Sequence, residues 1–224
     1  MNTLQVRYRN RQDYQGVYAA MIDFSGSRLP STPDQVWFLE HDTVYTLGMA
    51  GKHEHILDSG NIPVIQTDRG GQVTYHGPGQ LVVYLLVDLK RKGLGIKQYV
   101  SSLEQIVIDL LEIQGIAGQR RAGAPGVYVD DRKIAALGVR VRRGCCYHGL
   151  ALNVNMDLLP FQRINPCGYP GLEVTQLADF GVDMSLEQVA ERLLPLLISR
   201  LGYADCDIIE WSGNRELSEK LNAK

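Results

Sequence analysis

Two side chains and one stretch of backbone in this sequence could make and break an acyl bond. Cys167 stands in Asn165-Pro166-Cys167-Gly168. Proline and glycine on either side force irregular backbone there, which puts the thiol on a loop, where catalytic groups often sit. A thiolate is a strong nucleophile and its thioester is readily cleaved, so a loop thiol suits acyl carrying. Read alone, a cysteine on a loop is more often inert than reactive. Lys133 opens the run Lys133-Ile134-Ala135-Ala136-Leu137-Gly138. Its small neighbours leave space for a ligand, and partial burial would lower the amine's pKa and make it a proton shuttle. Read alone, it is a solvated lysine in a turn. The two residues lie 34 apart, and spacing by itself does not bring them together.

The backbone candidate is Arg69 to Gln80, RGGQVTYHGPGQ, with four glycines and a proline. Such a segment makes tight turns, lets a ligand come close, and can grip an oxyanion through its N–H groups. It lacks the G-K-[ST] ending of a P-loop and is not G-x-G-x-x-G. A plain turn between strands is the alternative; His76 and Arg69 in the same stretch favour a site, with its glycines up to Gly79 shaping a pocket. The four cysteines, Cys145, Cys146, Cys167 and Cys206, match no zinc spacing, and a disulfide framework is not expected in an intracellular chain of this size. Residues 118 to 143 carry Arg120, Arg121, Arg132, Lys133, Arg140, Arg142 and Arg143 against Asp130 and Asp131, a local net charge of +5. That segment is either a solvated face or a docking patch for an acidic protein.

The elements that must hold these groups follow from periodicity. Tyr14, Val17, Tyr18, Met21 and Ile22 predict an amphipathic helix over 11 to 26. Strands are expected at Val36 to Glu40, Val44 to Leu47, Ile62 to Gln66 and Leu81 to Leu89. Val100, Leu103, Val107, Leu110 and Leu111 form a helical stripe that Gly115 stops. Gly126 to Val129 and Lys133 to Val141 read as a hairpin around Asp130-Asp131-Arg132, and His148 to Asn155 as a further strand. Ser185 and Gln188 make a capping box for a last helix ending at Gly202, with a kink expected at Pro195. Strands in the middle and helices on the flanks give a single α+β domain with a mixed sheet over residues 1 to 224.

Bulk properties narrow the class. The 224 residues are 45% hydrophobic and 21% charged, with net charge -2, as in an ordinary water-soluble protein. Nothing in the total suggests a nucleic-acid or membrane binder. The N-terminus shows no apolar signal region and no run spans a bilayer, so a cytoplasmic protein is expected.

Taken together, four ordered segments resemble one family. They are Arg69-Gly70-Gly71-Gln72-Val73-Thr74-Tyr75-His76-Gly77-Pro78-Gly79-Gln80, Lys133-Ile134-Ala135-Ala136-Leu137-Gly138-Val139, His148-Gly149-Leu150-Ala151-Leu152-Asn153 and Asn165-Pro166-Cys167-Gly168. The family is that of the lipoyl(octanoyl) transferases, octanoyl-[acyl-carrier-protein]:protein octanoyltransferases. The resemblance implies the catalytic core shared with lipoate and biotin protein ligases. It implies that octanoyl passes from the phosphopantetheine thiol of acyl carrier protein to Cys167. From there it goes to a lysine of a lipoyl domain, on an oxoacid dehydrogenase E2 subunit or the glycine-cleavage H protein. Lys133 matches the lysine that lowers the thiol pKa and moves protons. Arg69, Gly70, Gly71, Gln72, Val73, Thr74, Tyr75 and His76 match substrate-binding positions, as do Ala136, Leu137, Gly138, Gly149, Leu150 and Ala151. No metal and no cofactor of its own are implied. The rival readings are an ATP-dependent lipoate-protein ligase on the same fold and a non-enzymatic module that docks carrier proteins.

Overall fold

The central feature is a seven-stranded mixed sheet in the computed structural model, which describes residues 3–211. Its strands are β1 (Thr3–Gln12), β2 (Asp34–His41), β6 (Gln80–Asp88), β7 (Gly126–Val129), β8 (Arg132–Arg142), β9 (Cys145–Asn153) and β10 (Asp205–Trp211), in the spatial order β10-β1-β2-β6-β9-β8-β7. The β10, β1 and β2 strands run parallel, and each remaining neighbour pair is antiparallel. A second sheet of three short strands, β3 (Val44–Leu47), β4 (Val64–Gln66) and β5 (Val73–His76), is ordered β4-β3-β5.

Helices cover both faces of the large sheet. On one face lies α1 (Tyr14–Ser27), whose Val17 and Met21 pack on Trp37, Leu39, Val82, Tyr84 and Leu86. Asp13 caps it by accepting from the Gly16 N–H at 2.8 Å. The other face carries α3 (Ile96–Ile113) and α4 (Leu186–Arg200), which follow the short α2 (Leu89–Lys92) in the chain. Tyr99, Leu103, Ile106 and Leu110 of α3 and Val189, Leu193 and Leu197 of α4 bury their stripes against Val83, Leu85, Leu150 and Leu152. Each such side chain contributes roughly 1.5–3 kcal/mol on leaving water. The expected capping box of Ser185 and Gln188 starts α4.

Several elements depart from the sequence expectation. The first helix begins at Tyr14 rather than 11, because β1 runs on to Gln12. β1 itself carries the alternation of a half-buried strand, with Leu4, Val6 and Tyr8 inward. The stretch Arg69 to Gln80 is not turns throughout: Val73–His76 is β5, wholly buried and paired with β3. The last helix, α4, holds Pro195 in its interior as the sequence has it. Cys145 and Cys146 begin β9, and all four cysteines are free thiols.

Candidate active site

Backbone pairing explains how Lys133 and Cys167 meet. Lys133, at the start of β8, receives a hydrogen bond from the Thr175 N–H at 3.0 Å and donates its own N–H to the Glu173 carbonyl at 2.9 Å. This stitches the chain just after the Cys167 loop to the strand that carries the lysine. On the near side, the Asn165 N–H reaches the His55 carbonyl at 2.8 Å, and Ile56 bridges Ile164. Held at both ends, Pro166–Gly168 makes one 3₁₀ turn in which Cys167 has φ 56° and ψ 17°. A side chain with positive φ costs roughly 1–3 kcal/mol, which the surrounding contacts must offset. Gly168, at φ 80°, completes the turn.

The result is a contact of 2.8 Å between Lys133 Nζ and Cys167 Sγ. Lys133 is 3% exposed; its ammonium also donates to the Pro125 carbonyl at 3.2 Å and lies 5.2 Å from the Tyr128 ring centre. Gly126 leaves the room for this: a Cβ there would lie 2.9 Å from Lys133 Cε. The sequence reading had burial lowering the lysine's pKa. Burial does act that way, but the thiolate's charge and hydrogen bond outweigh it and raise the value above that of ordinary lysine. The group is therefore an ammonium at neutral pH, with its Nζ aimed at the Cys167 sulfur.

Two cavities meet at Cys167. The inner one, about 50 Å³, is lined by the glycine-rich segment and by the small residues of β8 and β9. Arg69, Gly71, Gln72, Val73, Thr74 and His76 border it, as do Ala136, Leu137, Gly138, Gly149, Leu150 and Ala151. The outer cleft, about 370 Å³, is bordered by Gly70, Ala124, Val139 and Tyr169. Two sequence-stated positions do not line the inner cavity. Gly70 belongs to the outer cleft, and the Tyr75 ring packs with Tyr45 and Phe161 under the small sheet. Gly77 is not a lining residue either; a Cβ there would collide with the Tyr75 hydroxyl.

Comparison with known proteins decides the family. The lipoyl protein ligase A/B catalytic domain family matches residues 22–197. An octanoyltransferase of Alkalilimnicola ehrlichii is 60% identical over 189 residues, covering 84% of this chain and 88% of its own. An octanoyltransferase of Vibrio vulnificus is 50% identical over 97% of this chain and 99% of its own. The chain belongs to this family, among its octanoyltransferases. Solved structures agree on the fold. A lipoate-protein ligase A bound with ATP superposes with TM-score 0.77 at 17% identity, covering 99% of this chain and 93% of that one. The Aquifex aeolicus biotin protein ligase gives 0.52 at 16% identity, covering 90% and 70%.

The family resemblance put Arg69 against substrate, but its guanidinium is occupied by its own scaffold. It donates to Thr46 Oγ1, the Thr46 carbonyl at 2.6 Å, the Gln72 carbonyl at 2.7 Å and the Gly70 carbonyl at 3.0 Å. It thus clamps the glycine-rich segment to β3, and presents a buried positive charge near Cys167. His76 donates from Nδ1 to Gln80 Oε1 at 2.7 Å and is neutral; burial and the neighbouring His41 bring its pKa down to about 3.

Sequence reasoning missed Tyr14, Val82, Tyr84 and His148 in the inner cavity wall. It also missed Asp68, which gathers Tyr18 Oη at 3.0 Å, Tyr147 Oη and His148 Nε2 at 3.0 Å. Burial opposes the Asp68 charge, but these donors hold its carboxyl below the usual range. Burial likewise keeps His148 neutral against the pull of Asp68, so Nε2 carries the hydrogen. Asp68 is next to Arg69, yet its partners come from α1 and β9, far along the chain. The basic segment is divided in space: Arg120 pairs with Glu104, Arg121 with Asp131 and Arg140 with Asp68, while Arg142 and Arg143 are exposed at the β8–β9 turn. Among the described residues, no helix is long and apolar enough to cross a membrane. Among the same residues, no cluster of His, Cys, Asp or Glu is placed to hold a metal ion.

Proposed function

We propose that this protein transfers octanoyl from octanoyl-acyl carrier protein to a lysine of lipoyl domains through a thioester on Cys167. The observation that carries the reading is the 2.8 Å contact of a buried lysine with a loop thiol at the junction of two cavities. An ammonium that close stabilises a thiolate by a charge-assisted hydrogen bond. The Cys167 thiolate attacks the carbonyl carbon of the donor thioester, a C–Sγ bond forms, and the bond to the phosphopantetheine sulfur breaks. Lys133 gives its proton to the departing thiolate and becomes neutral. In the second half, the amine of a lipoyl-domain lysine attacks the Cys167 thioester. Lys133 takes the proton released, an amide forms, and the Cys167 thiolate returns as leaving group. Gly71 and Gln72 border Cys167 in both cavities, and their N–H groups are the proposed donors to the oxyanion.

In this scheme the acyl donor arrives on its carrier's phosphopantetheine, and the chain supplies only side chains and backbone. The acceptors are lipoyl domains of oxoacid dehydrogenase E2 subunits and the glycine-cleavage H protein. Arg142 and Arg143 at the β8–β9 turn are the proposed contacts to these acidic partners.

Intact-protein mass spectrometry after mixing with octanoyl-acyl carrier protein tests the scheme. The wild-type chain should gain one octanoyl mass that neutral hydroxylamine removes. Cys167→Ala should gain none. Lys133→Ala should acylate far more slowly near neutrality and recover in part at higher pH, where a lone thiol ionises. An adduct on Cys145, Cys146 or Cys206, or turnover by Cys167→Ala, overturns the assignment. Acylation only from free acid and ATP would instead identify a ligase.

A further inference from the structure

We propose that Tyr84 and Val82 of β6 set the length of the acyl chain that Cys167 carries; the inference rests on the acyl-transfer reading above. Five residues line both the inner cavity and the outer cleft: Gly71, Gln72, Leu137, Gly138 and Cys167. They mark the mouth of the inner cavity. Tyr14, His76, Val82, Tyr84 and His148 are among the residues that line the inner cavity and not the outer cleft.

Sheet register supplies the path between them. Gly138 of β8 stands opposite Gly149 of β9, which stands opposite Tyr84 of β6. In the adjacent row, Ala136 faces Ala151 and Ala151 faces Val82. Directly opposed residues share a face of the sheet. Two rows therefore cross the sheet in the same sense: small on β8, small on β9, bulky on β6. They form a trough that starts beside Cys167 and is dammed at β6. From β8 to β6 is two strand spacings, about 10 Å, which is the reach of an extended eight-carbon acyl chain.

The dam is rigid. Tyr84 is 4% exposed, and its hydroxyl bonds His41 Nε2 at 2.7 Å. His41 is fully buried and fixed in turn to the Gln12 carbonyl at 3.0 Å. Tyr14 lies over the same corner, its ring 5.0 Å from that of His41 and 6.0 Å from that of His76. A chain longer than the trough would have to displace this linked group, whereas a shorter one leaves apolar surface uncovered.

The test is a competition. Acyl carrier protein charged equally with hexanoyl, octanoyl, decanoyl and dodecanoyl groups is offered to the full chain, and the acyl masses on Cys167 are compared at early times. Wild type should favour octanoyl. Tyr84→Leu should raise the dodecanoyl-to-octanoyl ratio about tenfold or more, the scale at which methylene-sized pockets discriminate. Ala136→Val, which fills the trough near its mouth, should raise the hexanoyl-to-octanoyl ratio by a similar factor. Tyr84→Phe keeps the ring but loses the link to His41, so it should shift the dodecanoyl-to-octanoyl ratio less than Tyr84→Leu does. Circular dichroism checks folding, and if Tyr84→Leu does not fold, Val82→Ala carries the same arm. An unchanged dodecanoyl ratio in a folded dam variant, or an unchanged hexanoyl ratio in Ala136→Val, overturns the proposal. So does a Tyr84→Phe shift as large as that of Tyr84→Leu. A wild-type chain that takes no acyl group from any donor removes the transfer reading itself, a result distinct from all of these.

Discussion

At the scale of single residues, the contact of Cys167 with Lys133 rests on backbone beyond the thiol's own loop, where Glu173 and Thr175 hold the main chain of Lys133. Cys167 and Lys133 could be singled out from their neighbours in sequence, because proline and glycine announce a loop and a run of small residues announces space. That they touch depends on Glu173 and Thr175 pairing with β8, which no local pattern encodes. Arg69 shows the opposite case. An arginine in a glycine-rich stretch suggests a ligand contact, yet its acceptors are the carbonyls of Gly70 and Gln72 and both oxygens of Thr46, 23 residues upstream. Replacing it should therefore affect the fold before the chemistry. Arg69→Met takes this donor from the Gly70 carbonyl and Thr46 Oγ1 and leaves the Gln72 carbonyl only the Gly48 N–H at 3.3 Å, at roughly 1–3 kcal/mol for each buried group left unpaired. The expected loss is about 3 kcal/mol or more in urea unfolding. Arg69→Lys should recover only part of it, since an ammonium cannot span the same forked set of acceptors. A variant as stable as wild type would show that the clamp contributes nothing.

At the scale of elements, periodicity located α1, α3, α4 and the central strands, and failed where glycine obscured it. β5 lies inside the stretch with four glycines and reads as turn, although Val73, Thr74, Tyr75 and His76 are all buried strand residues. β1 carried a clear alternation, but a helix signal starting at Tyr14 drew its last residues into the wrong element. The glycines themselves divide by position rather than by motif. Gly79 has φ 84°, and a Cβ there would collide with the Asn155 carbonyl, so backbone approaches backbone at the β5–β6 turn. Gly26, in the last turn of α1, has nothing within 4 Å of an added Cβ. Gly79→Ala should therefore destabilise by about 2 kcal/mol or more, through strain and overlap. Gly26→Ala should stabilise by roughly 0.4–1 kcal/mol, because it restricts the unfolded chain and suits a helix. Paired urea titrations check both signs; equal effects at the two sites would remove the distinction.

At the scale of the whole molecule, the strand order β10-β1-β2-β6-β9-β8-β7 was not readable, since parallel crossovers leave no local trace. That order places three neutral histidines in one buried layer between α1 and the sheets, with a consequence for acid stability. His41 donates from Nδ1 to the Gln12 carbonyl, so its Nε2 accepts from the Tyr84 hydroxyl; burial lowers its pKa to about 4. His76 is held to about 3 by burial and by His41 beside it, and burial lowers His148 as well. An unfolded histidine titrates near 6.5, so below that pH the unfolded chain binds protons that the folded chain refuses. Stability therefore falls as pH drops from about 6.5, continuing to about 4 for His41 and about 3 for His76. Each such group contributes a slope of about 1.4 kcal/mol per pH unit in that window. The depressed carboxyl of Asp68 acts lower: its contribution is complete above the ordinary carboxylate range and fades only as pH falls through it. Between pH 6.5 and pH 4.5 the loss should thus be of histidine origin and reach several kcal/mol, a large share of the 5–15 kcal/mol typical of a folded chain. His76→Gln, which keeps a donor for Gln80, should lower the slope of unfolding free energy against pH by about one proton, whatever its stability at pH 7. A slope that stays at the wild-type value in this variant would place the acid-sensitive groups elsewhere.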